Sequence, residues 1–161
     1  MPATRNPLRE ALEARDPEMA RAALAENVIL RSPIFSVEFE GVDEASDVLA
    51  AVYEVLGEVE YLYDEGEDPQ VFIWRSDVDG EPVEGTDLVR YDAEGKVTEV
   101  TVFFRPLRGI AAFLDKTGPI LAKRRGKSAL LTRILAPPPS AMMRSVAGLG
   151  PKMMGLRRAK K

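Results

Sequence analysis

Between Gly57 and Pro106 the apolar residues recur at every second position, and turn-forming residues interrupt them at short intervals. That period specifies strands near residues 58–65, 70–78, 83–92 and 96–105. Asp79-Gly80 and Ala93-Glu94-Gly95 are the residue types that close hairpins, because they accept the left-handed backbone such turns require. Four consecutive strands joined by short turns make an antiparallel meander. A meander with one apolar face must be covered by other elements.

The cover is encoded upstream. Residues 6–14, NPLREALEA, place Pro7 at a helix start and Leu8, Ala11 and Leu12 on one face. Asp16-Pro17 restarts the helix, with Asp16 as cap and Met19, Ala22, Ala23 and Leu24 on the apolar side. NVILRSPIF reads as a strand through Leu30, stopped at Pro33, which cannot donate to a ladder, and then a turn. A further helix is signalled by Asp43-Glu44 in its first turn and by the spacing of Ala45, Val48, Leu49, Val52 and Leu56. Helix, helix, strand, helix and then a run of strands is an α+β order, with helices packed on one face of the sheet. No internal repeat is present.

After Arg105-Pro106 the chain turns helical again through RGIAAFLDKTGPILAKRRG. Pro137-Pro138-Pro139 reads as a stiff extended break. AMMRSVAGLGPKMMGLRRAKK beyond it has the composition of short basic amphipathic helices interrupted at glycine. The expected organisation is a domain over residues 1–115 and a basic helical extension over 116–161.

Charge sharpens that division. Residues 1–115 hold 10 Lys+Arg against all 26 Asp+Glu, which leaves −16, whereas residues 116–161 hold the other 12 Lys+Arg and no acid. Such asymmetry calls for an anionic partner of the tail. Docking on the acidic body needs no external ligand. A membrane surface suits the Met, Leu and Val beside Lys and Arg. Nucleic acid fits poorly, because no Phe, Tyr or Trp follows Phe113 to stack on bases. The chain has neither Cys nor His, which removes disulfides, thiol nucleophiles, Ser-His-Asp triads and thiolate or imidazole metal sites. Chemistry is left to Asp, Glu, Tyr, Ser, Thr, Lys and Arg, and no cofactor is called for. With no apolar signal region at the N-terminus and no uninterrupted apolar span, a cytoplasmic soluble protein is expected.

The order of elements, with DLVRYDAEGKVTEVTVFFRP at residues 87–106, resembles the nuclear transport factor 2-like superfamily. That is the cone-shaped fold of ketosteroid isomerases, limonene epoxide hydrolases and SnoaL-type polyketide cyclases. Asp87, followed by Leu88, Val89, Arg90 and Tyr91 and a Gly95-Lys96 hairpin, stands where ketosteroid isomerases keep a protonated Asp that donates to a substrate oxyanion, the usage for which that enzyme is a known example. Two other positions depart from that family. Its general base, an Asp before proline, is Ser32 before Pro33, and its first-helix Tyr is Leu8. Of the epoxide hydrolase pattern, Arg75-Ser76-Asp77 matches the Arg-x-Asp, but the last-strand acid is Val102.

Strand alternation sets Asp87, Val89 and Tyr91 on one face, and Thr98, Val100, Val102 and Phe104 on the same face of the next strand. By the resemblance this face lines the cone interior, with Phe72 and Trp74 as a further same-face pair and Ser32 at the first strand's end. Asp87 is the candidate catalytic or anchoring group. Phe72, Trp74, Val89, Tyr91, Val100, Val102, Phe104 and Ser32 are candidate ligand contacts. Tyr53, Tyr61 and Tyr63 are each able to supply a phenol, and periodicity does not choose among them. An ion pair to Arg75 is the plainer reading of Asp87. Leu88 and Phe103 on the outer face suggest a homodimer through the sheet. The expected function is binding of an apolar small molecule, either with isomerase- or cyclase-like chemistry on a carbonyl compound or, alternatively, in a binding or interaction module that has lost its catalytic residues.

Overall fold

The computed structural model describes residues 6–127 and 137–155. Its first two helices, α1 (Pro7–Ala14) and α2 (Pro17–Ala23), begin as their caps dictate. Asn6 Oδ1 accepts the backbone N–H groups of Leu8 and Arg9 at 2.7 and 3.3 Å, and Asp16 Oδ1 accepts those of Glu18 and Met19 at 2.9 and 3.1 Å. Proline at the first helical position forfeits nothing, because that N–H has no intrahelical acceptor.

Periodicity carries Leu24 into the second helix, but α2 stops at Ala23 and Leu24 begins β1 (Leu24–Arg31). The reason is tertiary: Leu24 is buried and pairs with Val97 across the sheet, which outweighs its helical preference. β2 (Glu38–Glu40), read from sequence as part of a turn, pairs antiparallel with β1 and buries Phe39 between two exposed glutamates. α3 (Val42–Val55) follows.

The four strands of the meander are β3 (Glu60–Glu65), β4 (Gln70–Val78), β5 (Glu81–Tyr91) and β6 (Val97–Arg105). They lie in one sheet of order β2-β1-β6-β5-β4-β3, antiparallel except for the β1–β6 pair, which is parallel. The β4–β5 hairpin turns on Asp79 and Gly80, with φ of 57° and 81°, as two-residue turns require.

Register decides which side chains meet. Phe72, Asp87 and Val102 are opposite one another on three successive strands, and so are Trp74, Gly85 and Phe104. These two rows face inward. The row between them, Ile73, Thr86 and Phe103, faces outward. A bulge interrupts β5–β6, where Arg90 pairs with Glu99 but Tyr91 pairs with Val97. The extra residue moves Thr98 out of the alternation assigned to it, and Val97 takes the fully buried place.

α4 (Leu107–Arg124) returns across the inner face against α3 and the meander. A Cβ at Gly109 would lie 2.4 Å from Val83 Cγ1, so the absent side chain permits the close approach of α4 to β5. Residue 115 lies within α4, where the composition changes but the helix does not. α5 (Pro137–Met153) packs on α4, with Arg144 paired to Asp115. Pro137-Pro138-Pro139 is therefore the first turn of a helix rather than an extended break, because proline is tolerated where N–H groups have no partner anyway. The helix continues through Gly148, Gly150 and Pro151. Arg133, Arg157, Arg158, Lys160 and Lys161 lie outside the described residues. Among the described residues no helix is long and apolar enough to cross a membrane.

Candidate functional site

The inner rows of the sheet do not close completely against the helices. They leave a cavity of about 100 Å³, several times the roughly 10–15 Å³ that one water needs. The sheet supplies Phe72, Trp74, Asp87, Val100, Val102 and Phe104. α1 adds Leu8 and Leu12; α3 adds Leu49, Val52 and Tyr53; α4 adds Phe113, Thr117 and Leu121. The loop after β1 contributes Ser32 to Phe35. The wall is apolar apart from a few polar groups, the usual make-up of a small-molecule site.

Gly85 is the local origin of the polar feature. A Cβ there would sit 2.1 Å from Trp74 Cζ2, so only glycine lets the indole lie across β5. Phe104 backs the indole edge-on, with ring centroids 5.3 Å apart, and Phe113 in turn backs Phe104 at 5.1 Å. So held, Trp74 Nε1–H donates to Asp87 Oδ2 at 2.9 Å.

The indole N–H is the only hydrogen bond to the Asp87 carboxyl among the described residues. Although the residue as a whole is half-buried, Oδ1 is buried and unpartnered. Arg75, the ion-pair candidate, points to the other face and contacts Glu60 at 3.4 Å. Loss of solvent pushes the Asp87 carboxyl up to about 7, against the opposing pull of the Trp74 hydrogen bond. Near neutrality this group is divided between a neutral donor and a charged acceptor.

Of the three tyrosines, the structure brings two to the cavity. Tyr53 projects from α3 with its hydroxyl buried and unpartnered. Tyr61 lies edge-on to Phe72 at 6.0 Å and under the Arg9 guanidinium at 4.4 Å, which Glu13 and Asp64 hold at 2.8 Å each. Burial, and then the charge of Asp87, push both phenols further from ionisation, so they are available as neutral donors. Tyr63 is exposed.

The remaining candidates divide. Ser32 lines the cavity, but its Oγ is engaged by the N–H groups of Ile34 and Phe35 at 3.1 and 3.4 Å, as in a serine turn. Val89 and Tyr91 share the Asp87 face but lie beyond the cavity, because β5 outruns it. Val89 is core, and Tyr91 donates its hydroxyl to Gln70 Oε1 at 2.8 Å. Asp77, of the Arg-x-Asp pattern, is absent from the cavity wall and caps the β4–β5 turn, accepting Gly80 N–H at 2.9 Å.

No protein-family model matches the sequence, and no curated protein matches it. Solved structures do match. A steroid delta-isomerase from Pseudomonas aeruginosa superposes with a TM-score of 0.70 at 21% identity, over 78% of this chain and 98% of that one. An uncharacterised bacterial protein with a cystatin-like fold from Silicibacter pomeroyi gives a TM-score of 0.66 at 25% identity, over 70% and 80% of the two chains. A ketosteroid isomerase homologue from Kribbella flavida, described as putative, gives 0.54 at 20% identity, over 62% and 73%. With the helices packed on one inner face of the sheet, the chain has the cone-shaped α+β fold of the nuclear transport factor 2-like superfamily.

Proposed function

We propose that the protein binds an apolar small molecule bearing a carbonyl or hydroxyl oxygen, and that Asp87 and Tyr53 are the groups that hold this oxygen. One observation carries the reading: Asp87 Oδ1 and the Tyr53 hydroxyl are both buried on the wall of one apolar cavity, and neither has a partner. An unpaired buried polar atom costs about 1–3 kcal/mol, and a ligand oxygen placed between the two removes that cost. Tyr53 thereby stands in for the phenol that Leu8 does not provide.

Binding is favoured over catalysis because Asp87, the sole carboxylate on the cavity wall among the described residues, is committed with Tyr53 to holding the ligand oxygen, which leaves no second carboxylate to act as base. Proton transfer to or from carbon needs both a base and a donor to the developing oxyanion. An isomerase- or cyclase-like reaction on a carbonyl compound is the second reading, supported by the acidity of Asp87 near 7 and by the similarity to a steroid delta-isomerase. The test is titration of steroid-like and polyketide-like ketones against wild type, Asp87→Asn and Tyr53→Phe, read by isothermal calorimetry, with turnover followed in parallel. Weaker binding in both variants is expected. Equal binding in all three proteins would remove both residues from the site, and turnover lost in Asp87→Asn would favour the second reading.

Two features of assembly belong to the same proposal. A homodimer forms through the outer sheet face, supported by exposed Phe103 and Tyr63 beside Ile73 and Leu88; sedimentation of Phe103→Asp as a monomer tests it. The basic extension docks on the acidic body, supported by Arg124 on Asp47 and Glu54, Arg125 on Glu44, Lys116 on Asp79 and Arg144 on Asp115. Full proteolytic exposure of the extension at low salt would contradict it.

A further inference from the structure

We infer that α5 seats the protein on the surface of an anionic lipid bilayer through Met142, Val146, Leu149 and Met153. The spacing of these residues is four, three and four, which aligns them along one side of the helix. All four are more than half exposed. The opposite side is already occupied: Ser140 is buried and Arg144 reaches Asp115 of α4. The body therefore covers one side of α5 and leaves its apolar side to solvent.

Charge selects the occupant. Residues 116–161 hold 12 Lys+Arg and no acid. Lys116, Arg124, Arg125 and Arg144 are neutralised by carboxylates of the body, whereas no ion pair among the described residues involves Lys123, Lys127 or Lys152. A second copy paired stripe to stripe would set one acid-free segment against another. A nucleic acid would meet flexible aliphatic and thioether side chains instead of aromatic rings. A bilayer with anionic headgroups provides apolar depth for the stripe and counter-charge for Lys152 on the same helix and for the other lysines of the basic segment. Methionine, unbranched and polarisable, suits an irregular acyl boundary. Four apolar side chains and a few cations make a reversible attachment.

The test is co-sedimentation of the full chain with vesicles of phosphatidylcholine plus phosphatidylglycerol, and with phosphatidylcholine alone, at low and raised salt. Val146→Glu with Leu149→Glu places charge on the stripe, and Val146→Ala with Leu149→Ala removes apolar depth without adding charge. Circular dichroism and Trp74 emission report folding of each. Wild type is expected to sediment with the anionic vesicles and to be released by salt. The glutamate pair should lose at least about tenfold in affinity, and the alanine pair less. Failure of wild type to sediment with anionic vesicles, or binding of the folded glutamate pair at the wild-type level, would overturn the inference. So would a dimer that fails to bind vesicles and that the glutamate pair dissociates, which would assign the stripe to a second copy.

Discussion

Replacing Asp87 with asparagine separates the cost of its charge from the shape of its side chain. Asparagine is nearly isosteric and keeps an oxygen for the Trp74 N–H, so packing and the 2.9 Å hydrogen bond are retained. What is lost is titration. In the folded protein the carboxyl sits at about 7, against 3.8 for the ordinary group. The folded state therefore holds a proton that the unfolded chain has released at every pH between those values. Stability from this group is present in full below the unfolded value, declines as pH rises, and is gone above the folded one. At about 1.36 kcal/mol per decade, the whole change is worth about 4 kcal/mol, of which about 3 kcal/mol falls between pH 5 and pH 8. Other carboxylates also titrate, so the quantity to measure is the difference in unfolding free energy between wild type and Asp87→Asn, from urea denaturation at several pH values. Wild type should lose about 3 kcal/mol relative to the variant from pH 5 to pH 8. A difference that does not vary with pH would refute the reasoning, since it would mean that the carboxyl remains solvated.

Gly85→Ala should cost about 1–3 kcal/mol and shift Trp74 emission, because the new methyl group must displace an indole ring lying 2.1 Å from it; unchanged stability and emission would contradict the packing. Phe104→Ala should cost about 3 kcal/mol in thermal or urea unfolding and enlarge the cavity beside Trp74 and Phe113. Arg124→Ala, which removes two partly exposed ion pairs to Asp47 and Glu54, should cost less than about 1 kcal/mol and become neutral at high salt.

The meander, and the face that Asp87 shares with Val89 and Tyr91, are legible from residues alone, because period-two alternation over nine to eleven positions leaves little freedom of register; that this face is the inner one came from the family resemblance. Three features were not legible, each for a physical reason. The bulge at Arg90–Tyr91 exchanges Thr98 for Val97, and nothing in a single strand announces that its partner carries an extra residue. β2 is too short to show a period, and it exists because the β1 edge offers unpaired groups to it. Tyr53 could not be chosen over Tyr63, since helical phase is uncertain by a residue while cavity lining depends on it. Gly85, which strand alternation passes over, is where another group approaches β5 closely. Only the fold shows that it is the indole that donates to Asp87 two residues away.

The parallel pairing of β1 with β6 has a consequence for the order of folding. Residues 24–31 must wait for residues 97–105, so the sheet consists of two locally formed pieces, the β1–β2 pair and the β3–β6 meander, joined by one ladder of high sequence separation. Local hairpins close early and long-range strand pairing closes late, because loop entropy is lost before any contact compensates it. In pulse-labelling hydrogen exchange, amides of β4 and β5 should gain protection before those of Leu30 and Arg31. A nascent chain released before residue 97 would lack the strand that its first strand is shaped to meet, and would present the edge of β1 to its neighbours.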